Sequence, residues 1–332
     1  MNYTETGVLE ANQIKIKNHL TDLGIDNIRK EIITGLTSKH KHISSKFFYD
    51  DLGSKLFEDI TKLPEYYPTR TEKSILNKIA PILMNDLEKT DLVELGSGDC
   101  SKIKILLNSI QKENLKTINY IPVDVSLSAI NDSAQELTDL FPDLSINGIV
   151  ADFINQLDLI PAERKRMFFF LGSTIGNFTE DISANFLKNL SDNMNSGDTF
   201  ILGADLVKSS TVLHEAYNDA QGITADFNKN ILNVINNLIE SDFNISDFEH
   251  KAFFNEEKSR IEMHLIAKED LQIKSPYHHD DIYIKKGENI HTENSYKFSM
   301  KRIKELEEIT GLKINQIYTD NNNWFALILF EK

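Results

Sequence analysis

The chain has 332 residues, enough to bury one large hydrophobic core or two modest ones. Its 36 lysines and arginines are outnumbered by 51 aspartates and glutamates, giving a net charge of −15 without a basic block long enough to follow a phosphate backbone, which excludes nucleic acid as a partner. A single cysteine excludes an internal disulfide, and the lack of a leader-like segment or an apolar run of transmembrane length predicts a cytoplasmic protein with no membrane contact. No feature of the sequence indicates an obligatory protein partner.

The first predicted element is a helical cap. Apolar residues recur at helical spacing near the start of the chain, at Ile25, Ile28, Ile32 and Leu36. We therefore predict that residues 1–60 form an N-terminal helical cap that contributes to a substrate domain.

Two segments rich in aromatic residues follow, at 46–57 and 63–72. Tyrosine and phenylalanine beside proline and glycine suit a lid over a small polar substrate, although aromatic clusters are more often plain core. Pro68 followed by Thr69 predicts the start of a helix that runs towards Ile82.

A strand, a tight turn and a helix are predicted from Asp91 to Ile110, and the turn contains Gly96 and Gly98. These glycines allow left-handed backbone angles and a close approach to a ligand. A doubly wound sheet forms its nucleotide site in this way, at the carboxyl end of its first strand. By themselves, two glycines after a strand are more often a structural turn.

Two further predicted strands are each followed or ended by an acid. The second strand ends at Asp124, 26 residues after Gly98, where a carboxylate can accept both hydroxyls of a ribose. The third strand leads into Asp152 and Phe153, an acid and an aromatic ring that suit the edge and face of an adenine. Because such strand ends meet in a parallel sheet, we expect these side chains to form one ligand site.

The third glycine of a dinucleotide fingerprint is absent, because Ser101 and Lys102 stand where the helix would pack closely. No pyrophosphate then needs to be cradled, so S-adenosylmethionine is favoured over NAD as the ligand. Cys100 lies in the same turn. Without a histidine nearby in the sequence, an inert thiol is favoured over a nucleophile.

A fourth buried strand, at 167–173, contains Gly172 near its end and is followed by Asn177, again at the ligand edge of the sheet. A fifth strand follows at 199–202. The alternation of strands and helices predicts that residues 61–205 form an S-adenosylmethionine-binding domain with a parallel sheet and helices on both faces.

The pattern changes after residue 205, where a long helix and period-two runs predict an inserted substrate domain over 206–298. The predicted strands of this domain are Glu249–Phe254, Arg260–Ala267, Asp281–Lys285 and Ile290–Phe298. Residues 299–332 then add a helix and a hairpin that complete the first sheet. The predicted fold class is α/β, a Rossmann-like seven-stranded class I methyltransferase sheet with a second, inserted α+β substrate domain.

One run, His278 to Asp281, contains residue types that ligate metals. Adjacent residues on a strand point to opposite sides and do not easily share one ion. We therefore predict a solvated loop here and no metal site.

Several segments of the chain resemble the ergothioneine-pathway histidine Nα-methyltransferases, and the likeness covers nearly the whole chain. The segments that carry it are Phe48-Tyr49-Asp50-Asp51-Leu52-Gly53-Ser54, Glu65-Tyr66-Tyr67-Pro68-Thr69-Arg70, Glu94-Leu95-Gly96-Ser97-Gly98, Gly172-Ser173-Thr174-Ile175-Gly176-Asn177-Phe178, the run from Ala216 to Thr224, Arg260-Ile261-Glu262-Met263 and Thr292-Glu293-Asn294-Ser295. The resemblance implies conversion of L-histidine to N,N,N-trimethylhistidine (hercynine) with S-adenosylmethionine as methyl donor.

The same resemblance implies two sets of site residues. The set that holds S-adenosylmethionine is Gly96, Gly98, Lys102, Asp124, Asp152, Phe153 and Gly172. The set that holds the amino acid is Tyr49, Tyr66, Asn177, Tyr217, Met263, Glu293 and Ser295. Of these, Tyr49 faces the amine and is the expected catalytic group.

The chemistry of these side chains agrees with the implied roles. Asn177 and Tyr217 are neutral donors suited to an α-carboxylate, while Glu293 and Ser295 lie two apart on a strand and face the same way, as imidazole recognition requires. The expected reaction is direct in-line displacement by the amine. Tyr49 is expected to orient that amine rather than deprotonate it, since a phenol with a reference pKa of about 10 is mostly protonated at neutral pH.

Three alternatives remain open. The first is a same-fold N-methyltransferase for another amino acid, such as a tryptophan derivative. An apolar residue at position 293 would favour it, but this chain has Glu293 there. A dinucleotide oxidoreductase is disfavoured by the missing third glycine. A binding module without turnover is disfavoured by the complete set of polar substrate residues.

Overall fold

The computed structural model describes residues 9–11, 13–20 and 24–332. Predictions that fall on residues 1–8, 12 and 21–23 lie outside the described residues. The chain divides into two compact units. The first unit holds the described residues of Met1–Asp22 together with Pro68–Leu206 and Phe298–Lys332, and the second holds those of Leu23–Tyr67 together with Val207–Lys297.

The strands of the described chain follow in order. They are β1 (Leu9–Ala11), β2 (Ile14–Asn18), β3 (Thr90–Leu95), β4 (Asn119–Asp124), β5 (Ser145–Val150), β6 (Lys165–Phe170), β7 (Thr199–Asp205), β8 (Phe248–Asn255), β9 (Arg260–Ala267), β10 (Leu271–Ile273), β11 (Ile282–Ile284), β12 (Asn289–Tyr296), β13 (Lys313–Thr319) and β14 (Phe325–Glu331).

The helices of the described chain alternate with these strands. They are α1 (Ile25–Thr37), α2 (Asp51–Lys62), α3 (Tyr67–Met84), α4 (Ser101–Leu107), α5 (Lys112–Leu115), α6 (Leu127–Leu140), α7 (Glu180–Asn193), α8 (Ser210–Tyr217), α9 (Ile223–Ile239) and α10 (Met300–Thr310). Short 3-10 turns lie at Ser45–Phe48, Leu157–Leu159, Thr174–Asn177 and Ile245–Asp247. None of the helices in this described part is long and apolar enough to cross a membrane.

The first unit is built on one nine-stranded sheet with the order β1-β2-β5-β4-β3-β6-β7-β14-β13. The strands from β2 to β7 in this order pair in parallel, and the β13–β14 hairpin joins β7 antiparallel. β3 lies at the centre and is buried along its whole length, because helices cover both faces of a parallel sheet. The predicted α/β, Rossmann-like class I methyltransferase fold is confirmed, with two additional strands at one edge.

β2 differs from the predicted helical cap, because its sequence has a period of two rather than 3.6. Ile14 and Ile16 alternate with Lys15 and Lys17, and Ile16 is only 1% exposed. Hydrogen bonding in parallel with β5, with Ile14 opposite Ile146, makes this segment part of the sheet of the first unit. The helical prediction holds for α1, which the structure assigns to the second unit.

The second unit combines helices with a three-stranded antiparallel sheet in the order β12-β9-β8 and a small β10–β11 hairpin. The four predicted strands of this region are confirmed as β8, β9, β11 and β12, whereas β10 has only three residues and was not predicted. Met263 of β9 lies opposite Glu293 of β12, and the register shifts between His291 and Glu293. Because side chains alternate along a strand, Glu293 and Ser295 share one face of this sheet.

Candidate active site

The glycine turn after β3 is open on one side. Gly96 and Gly98 have φ values of +72° and +52°, in the left-handed region that favours glycine. A Cβ built on Gly98 meets no atom within 4 Å, and the buried hydroxyl of Ser97 has no hydrogen-bond partner in the described part of the chain. Open space beside an unsatisfied buried hydroxyl fits a turn that receives a polar ligand.

Asp124 ends β4 beside this turn. Its Oδ1 accepts a hydrogen bond from the backbone N–H of Ser126 at 2.9 Å, and its Oδ2 accepts one from that of Gly98 at 3.4 Å. Burial raises the pKa of this carboxyl, and the surrounding backbone N–H groups oppose the rise. Asp124, the ribose acceptor predicted from the sequence, therefore lies at the glycine turn. This is the place expected for a residue at the end of the second predicted strand.

Asp152 and Phe153 follow β5, the neighbour of β4. Asp152 is held by its own turn, since its Oδ1 accepts from the Ile154 N–H at 3.0 Å. The ring of Phe153 lies at the glycine turn, because a Cβ built on Gly96 would be 3.7 Å from its Cε1 atom. The ring also packs edge-on against Phe170, with centroids 5.6 Å apart. The ends of the first three strands of the predicted site thus meet at one edge of the sheet.

Lys102 and Gly172 meet at a residue that sequence reasoning missed, Glu72 of α3. The Glu72 side chain is 0% exposed, its Oε2 lies 2.8 Å from the Lys102 Nζ, and its Oε1 accepts a hydrogen bond from the Gly172 N–H at 2.8 Å. Gly172 has a φ of +81°, in the left-handed region that favours glycine, and a Cβ there would come within 2.9 Å of the Lys102 Nζ. The sequence shows Glu72 only as an acid in the helix that follows the aromatic segment. Its partners Lys102 and Gly172 are 30 or more residues away, so no local pattern predicts that they meet.

Two other polar groups of the turn region are buried in the protein. Glu94 of β3 is 3% exposed, accepts a hydrogen bond from the Tyr120 hydroxyl at 2.6 Å, and has its pKa raised by burial to about 8. Cys100 is 1% exposed, and burial raises the pKa of its thiol to about 12. A thiol that stays protonated is a poor nucleophile, which agrees with the inert role predicted for Cys100.

Asn177 ends the 3-10 turn that follows β6, also at the carboxyl edge of the sheet in the first unit. Its amide makes no hydrogen bond to the described residues, and it is half-buried. The preceding Ser173 has a φ of +56°, and its hydroxyl accepts a hydrogen bond from the Asp205 N–H at 2.9 Å. The turn that presents Asn177 is therefore held in place by the neighbouring strand β7.

The remaining predicted site residues belong to the second unit, where aromatic rings form a continuous row. Tyr49 packs edge-on against Phe57 with centroids 5.8 Å apart, Phe57 against Tyr66 at 6.2 Å, and Tyr66 against Tyr217 at 6.3 Å. Tyr66 and Tyr217 are buried and Tyr49 is half-buried. The sequence left open whether these aromatic residues form a lid or part of the core. In the structure most of them are packed inside this unit.

The row of rings ends at a polar cluster. The Tyr217 hydroxyl donates to Ser295 Oγ at 2.8 Å, and the ammonium of Lys297 donates to the same two oxygens at 3.1 and 2.8 Å. Burial raises the pKa of Glu293 to about 7, against the opposing charge of Lys297. The Glu293 carboxylate makes no hydrogen bond to the described residues. Its neighbour on the paired strand is the buried, apolar Met263. Lys297 is a further residue that sequence reasoning missed.

The predicted loop at 278–281 is confirmed as non-regular, solvent-facing chain. The side chains of His279 and Asp280 are 98% and 82% exposed. Their mutual contact at 3.1 Å between His279 Nδ1 and Asp280 Oδ1 is that of a surface pair.

A different group of possible metal ligands lies on the opposite face of the β8–β9–β12 sheet. Glu262, His264 and His291 place one ligand atom each within 4.8 Å of one another. The Glu262 carboxylate, however, already accepts hydrogen bonds from the Arg260 guanidinium at 2.6 and 2.8 Å, and the two imidazole rings stack with centroids 4.8 Å apart. Stacked rings direct their in-plane lone pairs side by side rather than at one point, so this cluster is a layer of polar packing.

Comparison with known proteins identifies the family. The model of the histidine-specific, S-adenosylmethionine-dependent methyltransferases matches residues 28–332. The chain belongs to this family. It is therefore an S-adenosylmethionine-dependent methyltransferase, and the open glycine turn with Asp124, Asp152 and Phe153 at three adjacent strand ends fits that methyl donor. The dinucleotide oxidoreductase alternative is excluded.

Relatives within this family of methyltransferases span nearly the same length. A histidine N-alpha-methyltransferase of Mycolicibacterium smegmatis is 37% identical over 95% of this chain and 98% of its own length. A histidine N-alpha-methyltransferase of Mycobacterium tuberculosis is 37% identical over 96% of this chain and 100% of its own. A 4-dimethylallyltryptophan N-methyltransferase of Aspergillus fumigatus is more distant, at 26% identity over 88% of this chain and 90% of its own.

Proposed function

We propose that this methyltransferase converts L-histidine to N,N,N-trimethylhistidine by three successive transfers to the α-amine. The observation that carries the proposal is the polar cluster of the second unit, where Glu293 and Ser295 share one strand face. An imidazole ring needs an acceptor for its N–H and a donor for its other nitrogen, and a carboxylate and a hydroxyl supply them. The two relatives with the higher identity quoted above are histidine N-alpha-methyltransferases, which supports the same substrate.

The α-carboxylate of the substrate needs neutral donors. Asn177 keeps this proposed role, because its amide has no hydrogen bond to the described residues. Tyr217, the second expected donor, gives its hydroxyl hydrogen to Ser295. We therefore assign Tyr217 to the ring end of the substrate, where its hydroxyl donates to Ser295.

The reaction is an in-line displacement at the methyl carbon, in which the neutral α-amine nitrogen forms the new N–C bond as the S–C bond of the methyl donor breaks. When bound, S-adenosylmethionine supplies a methyl group on a positively charged sulfur, which makes that methyl electrophilic. The protein contributes placement, and orientation of two reactants in the right geometry can lower a barrier by roughly 7 to 11 kcal/mol. Tyr49, at the half-buried end of the aromatic row, is proposed to orient the amine through a hydrogen bond.

A mixture experiment tests the proposal directly. The protein is incubated with S-adenosylmethionine and all twenty amino acids, and the products are identified by mass. We expect histidine to be consumed and to gain one, two and finally three methyl groups. Methylation of another amino acid in preference to histidine would contradict the substrate, and accumulation of a monomethylated product alone would contradict the repeated transfer.

The tryptophan-derivative alternative is tested by changing Glu293. Glu293→Ala removes a charge-assisted contact worth about 1.5 to 3 kcal/mol and leaves apolar space for a larger ring. The histidine kcat/KM should fall at least about tenfold, since 1.4 kcal/mol is a factor of ten, and tryptophan and phenylalanine should gain relative to it. Glu249→Ala, at an exposed position on β8, is the matched control. An unchanged order of preference in Glu293→Ala would place the ring pocket elsewhere.

A further inference from the structure

Lys297 is a buried cation that no sequence motif pointed to. Its side chain is 1% exposed, and it directly follows β12, two and four residues beyond Ser295 and Glu293. The backbone N–H of Lys297 continues the β9–β12 ladder by donating to the Ser259 carbonyl at 2.8 Å. Burying an ammonium group costs free energy unless the group is hydrogen-bonded. The hydrogen bonds from Lys297 to hydroxyl groups therefore offset the cost of burying its charge.

Those contacts determine the direction of the hydrogen bonds around Ser295. Lys297 can only donate, and it donates to Ser295 Oγ at 2.8 Å and to the Tyr217 hydroxyl at 3.1 Å. The Tyr217 hydroxyl in turn donates to Ser295 Oγ at 2.8 Å. A serine hydroxyl has two acceptor positions and one hydrogen, so Ser295 is filled as an acceptor and has only its hydrogen to offer a third group.

The charge of Lys297 acts on the second ring-binding residue as well. Burial raises the pKa of Glu293 to about 7, and the Lys297 charge lowers it. The other titratable groups of this cluster are the phenols of Tyr217 and Tyr66. Lys297 bonds the hydroxyl of Ser295, which lies two residues from Glu293 on the same strand face, so its charge lies in the same cluster as the Glu293 carboxyl.

We propose that Lys297 is a positioning residue of the amino-acid site, which makes Ser295 a donor and keeps Glu293 an acceptor. A site of this kind selects a side-chain ring with one N–H and one bare nitrogen, the pattern of a neutral imidazole. The inference rests on the proposed function, because it takes histidine as the substrate. It adds the reason why a hydroxyl, which could donate or accept, acts in one direction only.

The first test measures histidine binding by calorimetry in the presence of S-adenosylhomocysteine, from about pH 6 to about pH 9. Lys297→Met keeps most of the apolar stem and removes the charge and the donors. We expect at least about a tenfold loss of histidine affinity at neutral pH. We also expect the rise of affinity with pH to move to higher pH, because a carboxyl without a nearby cation ionises at higher pH. Lys297→Gln keeps a donor without the charge and should show the same pH displacement with a smaller loss of affinity.

The second test separates positioning from general stability. Thienylalanine carries a ring of similar size with neither N–H nor bare nitrogen, so the ratio of histidine to thienylalanine affinity reports hydrogen bonding to the ring. Lys297→Met should lower that ratio in an otherwise natural protein and leave it unchanged in a Ser295→Ala, Glu293→Gln background. Lys251→Met, an exposed lysine on the opposite face of the same sheet, is the control and should change neither ratio nor pH profile.

The outcomes distinguish the inference from the proposed function. A natural protein that binds S-adenosylhomocysteine but neither binds nor methylates histidine refutes the proposed function and the inference with it. A natural protein that methylates histidine, with Lys297→Met and Lys297→Gln keeping both the ring ratio and the pH profile, refutes the inference alone. If Lys297→Met fails to bind S-adenosylhomocysteine and is therefore misfolded, Lys297→Gln decides by the same two measurements.

Discussion

Burial changes the acidity of two carboxyl groups, one beside the glycine turn and one in the polar cluster of the second unit. Glu94 and Glu293 have pKa values raised by burial to about 8 and about 7, whereas each carboxyl has an ordinary value of 4.5. A group kept away from its ordinary state costs stability, and such groups are concentrated at functional sites. Glu293 is the clearer case, because its carboxylate has no hydrogen bond to the described chain.

The pH dependence of stability should therefore change when Glu293 is neutralised. Its folded pKa lies above its ordinary value, so its contribution is fully favourable below about pH 4.5 and is lost as the pH rises through about 7. Without ligand, Glu293→Gln should have a higher free energy of unfolding than the natural protein at pH 8, by on the order of 1 to 3 kcal/mol, and a similar one near pH 4.5. Urea denaturation at both pH values measures this. A gain of equal size at both would contradict the assigned cause.

Tyr49 offers a prediction about the amine. Tyr49→Phe keeps the ring that packs against Phe57 and removes only the hydroxyl. Turnover should fall more than the histidine KM rises, since the hydroxyl matters most when the nitrogen is aligned for attack. Steady-state kinetics of each methylation step decide this, with Tyr283→Phe, whose residue is 64% exposed, as the control. Full rates for every step in Tyr49→Phe would refute the role.

Asp124 offers the corresponding prediction for the methyl donor. Asp124→Ala removes the proposed ribose acceptor and should weaken S-adenosylmethionine binding by about 1.5 to 3 kcal/mol, the usual scale for hydrogen bonds to a charged group. Calorimetry measures the change against Asp132→Ala, an exposed acid on α6. Equal affinities in both variants would remove Asp124 from the site.

At the level of elements, the N-terminus of α2 shows why the segment that carries Tyr49 also contains Asp50 and Gly53. Asp50 caps the helix by accepting a hydrogen bond from the Gly53 N–H at 2.7 Å, and it also accepts one from Asn230 Nδ2 of α9 at 2.8 Å. A Cβ on Gly53 would lie 1.7 Å from the Phe48 carbonyl oxygen. The turn that carries Tyr49 can therefore close only over a glycine.

Gly53→Ala should accordingly disturb both stability and turnover. The backbone must move to admit the methyl group, and overpacking of this kind costs typically about 1 to 3 kcal/mol. Thermal denaturation should show a lower Tm, and the movement of Tyr49 should reduce kcat further. Gly24→Ala is the matched control, because a Cβ there meets no atom within 4 Å and the position has a φ of −50°. A Gly53→Ala protein as stable as Gly24→Ala would show that the turn relaxes freely.

At the level of the whole molecule, the chain passes between two compact units and carries the two sets of predicted ligand residues largely in different units. The residues assigned to S-adenosylmethionine all belong to the first unit, and those assigned to the amino acid belong to the second apart from Asn177. The two ligands should therefore protect different parts of the chain. Hydrogen exchange provides a map of this kind without relying on turnover.

We expect S-adenosylhomocysteine to slow exchange most around the glycine turn and the ends of β4 and β5. Histidine, added to that complex, should slow exchange most in β12 and the start of α2. At a ligand concentration of about 100 times Kd the stabilisation is about 2.7 kcal/mol, enough for a clear change in protected amides. Protection by histidine confined to the first unit would contradict the assignment of Glu293 and Ser295.

Periodicity and short-range motifs in the sequence determined the parallel sheet, the terminal hairpin and the glycine turn, because these depend on residues close together in the chain. They also determined that Asp124 and Phe153 would lie at the glycine turn, since parallel strands end at one edge. Glu72 beside Lys102 and Lys297 beside Tyr217 were decided by tertiary structure alone. A buried charge is stable only where distant segments bring a partner to it, and the sequence contains no local signal for such a partner. β2 is a different case, because its alternating Ile and Lys residues are a local strand signal, and tertiary structure decided only that it pairs with β5.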